Sequence, residues 1–183
     1  MQNTETNTET PGLTSSQTIG PFPHEAWAWA VHGPAARPPS ATLCLQGRLL
    51  DGQGRPIDDG WIEAWTPLAQ ALEQQAGYPL PGFRRMPTDG EGGFTLWLSP
   101  SAVPGEPLAL VTVFARGLLL HRFSAVFAAD DAGLAASSLL NQVPVARRPS
   151  LLAQPVPEAP GHYRWDIRLQ GEPQSETVFF DYA

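Results

Sequence analysis

His162-Tyr163-Arg164-Trp165-Asp166-Ile167-Arg168-Leu169-Gln170 is the stretch that decides the fold class. Tyr163, Trp165, Ile167 and Leu169 occupy every second position, against Arg164, Asp166, Arg168 and Gln170. A period of two puts one set on each face of an extended chain, so the segment predicts an unbroken strand with one face in a core and the other in water. Gly171-Glu172-Pro173 is a turn signal, and Glu176 to Tyr182 beyond it predicts a final aromatic strand.

The same signature recurs upstream. Leu118 to Ala128 predicts a strand with Phe123, Ala125 and Phe127 on one face. Leu108 to Ala115 is almost wholly apolar, as expected of a central strand buried on both faces. Asp89-Gly90-Glu91-Gly92-Gly93 is a turn that opens a strand in which Phe94, Leu96 and Leu98 alternate with Thr95, Trp97 and Ser99. Ala41 to Leu50 and Gly60 to Thr66 flank the turn Asp51-Gly52-Gln53-Gly54-Arg55-Pro56, which predicts a hairpin. Only Leu68–Ala76 and Asp131–Asn141 have helical patterning, and both are short. With 17 Gly and 20 Pro collected at the joints, the sum is an all-β chain, a β-sandwich with short helices in its loops. Residues 41–183 make one domain, preceded by a disordered Thr/Glu/Asn tail at 1–13 and an arm and loop at 14–40. The arm centres on Gln17-Thr18-Ile19-Gly20-Pro21-Phe22-Pro23, extended and stiffened by proline.

Charge narrows the partners. The 183 residues carry a net charge of -7, which disfavours nucleic acid and anionic membrane, since both require a basic face. The first 18 residues have neither a basic start nor an apolar run, and no stretch approaches the roughly 20 apolar residues of a membrane span. The single cysteine, Cys44, permits no internal disulfide and reads as a small core residue, which suits a reducing cytoplasm.

Catalytic constellations are scarce. His24, His32, His121 and His162 are scattered, with no spacing that brings two imidazoles to one metal. There is no CxxC pair, phosphate loop or GxSxG elbow. His121, after three leucines, reads as a core or interface residue, and the adjacent Asp58 and Asp59 as part of a solvated turn.

Five blocks in order carry a resemblance. They are Ser16-Gln17-Thr18-Ile19-Gly20-Pro21-Phe22; Gly47 to Ile57 with Glu63-Ala64-Trp65; Thr88 to Phe94; Phe114-Ala115-Arg116-Gly117-Leu118-Leu119-Leu120-His121; and Tyr163 to Gly171 with Glu176 to Asp181. Together they resemble the subunits of protocatechuate-type intradiol ring-cleavage dioxygenases, the fourth and fifth blocks being similar to the α type of subunit. Matching runs from about residue 14 to the C-terminus and is weakest at 24–40, 67–85 and 129–160.

The resemblance implies an Ig-like Greek-key sandwich in an α/β heteromer whose Fe(III) is held by two tyrosines and two histidines of the β chain. It places those ligands, in this chain, at Val111 and Val113, near Glu73, and in the Ser99–Pro107 loop, where no tyrosine or histidine stands. Valine offers no lone pair to a metal, so this chain is expected to hold neither metal nor catalytic residue of its own. The implied substrate is a catechol bearing a carboxylate, opened by O₂ to 3-carboxy-cis,cis-muconate. By resemblance Arg116 would grip that carboxylate, and Thr18, Gly20 and Pro21 would line the mouth of the pocket. Two other readings stay open: a catalytically silent adaptor that only scaffolds a partner protein, and a self-sufficient dioxygenase with an unfamiliar metal site from Tyr78, His121 or His162.

Overall fold

The computed structural model describes residue 31 and residues 37–101 and 103–181. The tail at 1–13 and the arm residues Thr18, Gly20 and Pro21 lie outside the described residues. The strands are β1 (Leu43–Leu50), β2 (Trp61–Trp65), β3 (Phe83–Pro87), β4 (Gly93–Leu98), β5 (Ala109–Phe114), β6 (Arg122–Ala128), β7 (Leu152–Pro155), β8 (His162–Arg164) and β9 (Ile167–Arg168). They form a nine-stranded sheet in the order β3-β2-β5-β6-β7-β8-β1-β4, with β9 beside β1. Residues from both ends of this path share one core. Leu45 and Leu49 of β1 and Phe94, Leu96 and Leu98 of β4 cluster with Ile62 and Ala64 of β2 and Val111 and Val113 of β5. Burying each large aliphatic or aromatic side chain contributes about 1.5–3 kcal/mol, so the alternating apolar positions supply most of the driving force.

The strand alternation at His162 to Gln170 is present, with Trp165 and Ile167 buried and Arg164 and Asp166 exposed. Its ladder is nonetheless interrupted, giving β8 and β9 in place of one strand. The chain here runs parallel to β1, and the Trp165 carbonyl crowds it: a Cβ at Gly47 would lie 1.8 Å from that oxygen. Only glycine admits such an approach. Across the gap the Arg48 N–H donates to Asp166 Oδ1 at 2.9 Å, and the Trp165 N–H donates to the Gln46 carbonyl at 2.9 Å.

Other expectations are corrected. β1 and β2 do not form a hairpin: β1 pairs with β4, β8 and β9, and β2 with β3 and β5. Long-range pairing wins there over the local turn. β5 is central, between β2 and β6, but only Ala109, Val111 and Val113 are fully buried, while Leu110, Thr112 and Phe114 on the other face are half-buried. Leu118 to His121 is a turn, and the strand begins at Arg122.

The predicted helix at Leu68–Ala76 appears as a 3₁₀ turn (Pro67–Ala69) running into α1 (Gln70–Gln75). At Asp131–Asn141 there are only 3₁₀ turns, Leu134–Ala136 and Leu140–Gln142. The Asp131 carboxylate accepts from the N–H groups of Gly133 and Gly105, both at 2.7 Å, a local alternative to helical bonding. A fourth 3₁₀ segment, Val145–Leu151, leads into β7, which the sequence did not announce. These turns cover the outer side of β6, where Ala125 and Phe127 pack with Leu140, Val143 and Leu151.

The final strand expected at Glu176 to Tyr182 is, among the described residues, a single bridge between Phe180 and Phe123. Hydroxyl groups stand in for the missing ladder. Ser124 Oγ donates to the Val178 carbonyl at 2.8 Å, Thr177 Oγ1 accepts the Arg168 N–H at 2.9 Å, and Ser150 Oγ accepts the Val178 N–H at 3.2 Å. Cys44 is fully buried on β1, and burial pushes its thiol up, as expected of a core residue. No helix among the described residues is long and apolar enough to cross a membrane.

Candidate functional site

Arg116 stands where β5 runs out. Trp61, the first residue of β2, is paired with Phe114, the last of β5, so the Asp58-Asp59 turn before β2 meets the chain leaving β5. Arg116 is ion-paired there with Asp59, and its side chain is 86% exposed. An exposed pair of this kind is weak in water and exchanges readily, so the guanidinium is available to another carboxylate. Gly117 then takes a φ of +88°, which turns the chain into Leu118-Leu119-Leu120-His121. His121 lies against Phe114 and Phe123, with ring centroids 5.4 and 4.6 Å apart.

The second centre of interest is a buried charge pair that the sequence did not reveal. Glu73 of α1 is fully buried, and Arg84 of β3 nearly so. Arg84 Nη2 donates to Glu73 Oε1 at 2.5 Å, Ser99 Oγ donates to the same oxygen at 2.6 Å, and the Gly82 N–H donates to Oε2 at 2.6 Å. Burial alone would push the Glu73 carboxyl up, but the donors from Arg84, Ser99 and Gly82 outweigh it and hold it below the usual glutamate range. Arg84 is satisfied in turn: Nε donates to the Trp97 carbonyl at 3.0 Å and Nη1 to the Phe83 carbonyl at 2.6 Å. Tyr78 lies beneath this guanidinium, 5.5 Å from ring centre to Cζ, and Ser40 and Ser99 share a hydroxyl hydrogen bond of 2.7 Å.

These residues occupy the places that the resemblance assigns to iron ligands, and their chemistry does not suit a metal ion. Val111 and Val113 carry no donor and are wholly within the core. Glu73 has its oxygens engaged by three donors, and the Arg84 cation beside it would repel a second positive charge. The alternative set of Tyr78, His121 and His162 is dispersed. Tyr78 lies against Arg84, His162 is edge-on to Trp97 at 5.9 Å, and His121 is in the β5–β6 turn. Among the described residues no three His, Cys, Asp or Glu side chains gather as potential metal ligands.

No family model matches the chain. Individual relatives do. The chain is 32% identical to the protocatechuate 3,4-dioxygenase alpha chain of Burkholderia cepacia, over 92% of its own length and 96% of the relative's. It is 31% identical to the corresponding alpha chain of Pseudomonas putida, with the same coverage. The chain belongs to the protocatechuate 3,4-dioxygenase alpha-chain family. Among solved structures it is similar to the dioxygenase domain of a dioxygenase carbohydrate-binding protein fusion from Streptomyces sp. SirexAA-E. That match has a TM-score of 0.54 at 17% identity and covers 85% of this chain and 97% of that one. Hydroxyquinol 1,2-dioxygenase from Pseudomonas putida DLL-E4 matches with a TM-score of 0.50 at 18% identity, over 71% of this chain and 56% of that one. At such identities the likeness is one of fold alone. Membership of an alpha-chain family makes this chain a dioxygenase subunit, and a family so named has a second kind of chain to pair with.

Proposed function

We propose that this chain is the iron-free α subunit of a cytoplasmic protocatechuate 3,4-dioxygenase, an Ig-like Greek-key sandwich that completes an active site centred on its partner. In this reading the β chain holds Fe(III) through two tyrosines and two histidines. The enzyme inserts both atoms of O₂ into protocatechuate and opens the ring between its two hydroxyl-bearing carbons, yielding 3-carboxy-cis,cis-muconate. The supporting observation is the side-chain chemistry at the ligand places: two valines in the core and a glutamate already neutralised by Arg84.

Arg116 has the role of selecting the substrate. Its guanidinium would exchange Asp59 for the protocatechuate carboxylate, making two parallel charge-assisted hydrogen bonds. Thr18, Gly20 and Pro21 would line the mouth of the same pocket, glycine allowing the backbone close to the ring and proline holding the arm extended.

Arg116→Ala in the assembled enzyme tests this role. Loss of a charge-assisted pair worth about 1.5–3 kcal/mol should raise KM for protocatechuate by about 10-fold or more. Turnover of unsubstituted catechol, which has no carboxylate to grip, should be unaffected. Equal changes for both substrates would make Arg116 a structural residue, and no change for either would remove it from the site.

A further inference from the structure

A groove of about 650 Å³ crosses the outward face of β7, β8, β1 and β4 and ends against β3. Its volume is that of a small-molecule site, and neither Arg116 nor Asp59 lines it. One row of side chains runs across it in register. Gln154 on β7 stands opposite Arg164 on β8, Arg164 opposite Gln46 on β1, and Gln46 opposite Thr95 on β4. Beyond β4 the half-buried Met86 and Pro87 of β3 give the groove an apolar end. A solvated sheet face gains stability by setting opposite charges across from each other. Arg164 has a carboxamide on either side instead, and neither it nor Gln46 makes a side-chain hydrogen bond or ion pair with a described residue. The carboxylates at the groove are already engaged. Asp89 accepts the N–H groups of Glu91 and Gly93 at 2.9 and 2.7 Å, and Asp166 accepts the Arg48 N–H and lies 4.0 Å from the Arg48 guanidinium. In a chain of net charge -7, this leaves an uncompensated cation in a concave site, beside amide and hydroxyl groups.

We propose that this groove is a ligand site for a small organic carboxylate. The guanidinium of Arg164 takes the carboxylate through two parallel N–H groups, a match of planar fork to planar anion. The Gln46 and Gln154 carboxamides flank it, and the apolar body of the ligand lies toward Met86 and Pro87. Two strand spacings, about 10 Å together, separate β8 from β4, with β3 beyond. A carboxylate carried two carbons from a ring has the length to span that distance. The site is built from residues of this chain alone and does not depend on the role given to Arg116.

The test titrates 3-phenylpropionate into the full chain and follows backbone amide chemical shifts. Shifts at Gln46, Thr95 and Arg164 should saturate together. Arg164→Gln should weaken binding by at least about 10-fold, the loss expected for a charge-assisted pair. Gln46→Glu, which sets a carboxylate beside the guanidinium, should weaken it as well. Both side chains are exposed, so the thermal midpoints of the variants should match that of the wild type and exclude a folding defect. Arg116→Gln should leave the dissociation constant unchanged, which separates this site from the role given to Arg116. The uncharged 3-phenylpropionamide should bind at least about 10-fold more weakly than the acid. Absence of saturable shifts along the row overturns the proposal. Equal weakening by Arg164→Gln and Arg116→Gln also overturns it, since that is the general attraction of an anion to arginine. Inorganic phosphate binding as tightly as 3-phenylpropionate overturns it too, because the apolar end of the groove then contributes nothing.

Discussion

Glu73→Ala is expected to cost this chain about 3–5 kcal/mol of folding stability, the range found when one partner of a buried ion pair is removed. The Arg84 guanidinium, 3% exposed, would remain in the interior without a counter-charge. The Ser99 hydroxyl and the Gly82 N–H would lose their acceptor as well. Against a total stability of about 5–15 kcal/mol for a domain, that is a large fraction. Urea unfolding at pH 7 measures it, and the double variant Glu73→Leu, Arg84→Met should recover much of the loss by removing both charges together. The effect carries a sign in pH. The native carboxyl is held below its ordinary value of 4.5, so the unfolded chain takes up the proton first. The stability from Glu73 is therefore complete above 4.5 and drains away as the pH falls through the lowered native value. The difference between wild type and Glu73→Ala should be constant around neutrality and shrink in acid. A loss under about 1 kcal/mol at pH 7 would mean that the pair is not the buried lock described here.

Phe127→Ala should be comparably severe, about 3–5 kcal/mol, through the cavity it leaves and the transfer energy it forfeits. Phe127 is fully buried and packs with Ala125, Leu140, Val143 and Leu151. It also lies opposite Leu152 in the parallel pairing of β6 with β7, the seam through which the two ends of the strand path are joined. Emptying that position should therefore loosen the 3₁₀ turns of 134–151 together with the seam. Amide exchange in β7 and in residues 134–151 should rise along with the loss in unfolding free energy. Unchanged protection in β7 would show that the seam does not depend on this side chain.

The strands were legible wherever one face is in the core and the other in water, because the period of two is then written directly in side-chain polarity. Phe94-Thr95-Leu96-Trp97-Leu98 and Tyr163-Arg164-Trp165-Asp166-Ile167 are of this kind. What the period cannot express is pairing, so β1 and β2 looked like a hairpin although each finds distant partners. Nor can it express a close backbone approach: the break between β8 and β9 depends on Gly47, more than 100 residues away in sequence. The C-terminal segment has strand composition but draws several of its hydrogen bonds from serine and threonine side chains, which alternation does not register.

The site was half legible. The absence of donors at 111 and 113 follows from residue type alone. The Glu73–Arg84 pair did not, since local polarity at α1 is inverted: Leu68 and Leu72, four residues apart, face water at 55% exposure each, while the charged Glu73 faces in. A helix with that polarity is intelligible only once Arg84 on β3 is placed opposite it. Arg116 was singled out as a candidate through its block of neighbours, and its pairing with Asp59 became visible only when β2 and β5 were set side by side.

On the proposed reading this subunit contributes shape and charge to a dioxygenase whose metal belongs to another chain. Iron content by elemental analysis tests it most directly, with this chain purified alone from iron-replete cells and, in parallel, purified together with its partner. The account predicts a colourless single chain without iron, and a coloured complex whose iron and ring-cleaving activity appear together. Stoichiometric Fe(III) in the single chain, with the absorption of a phenolate-bound ferric ion, would contradict it.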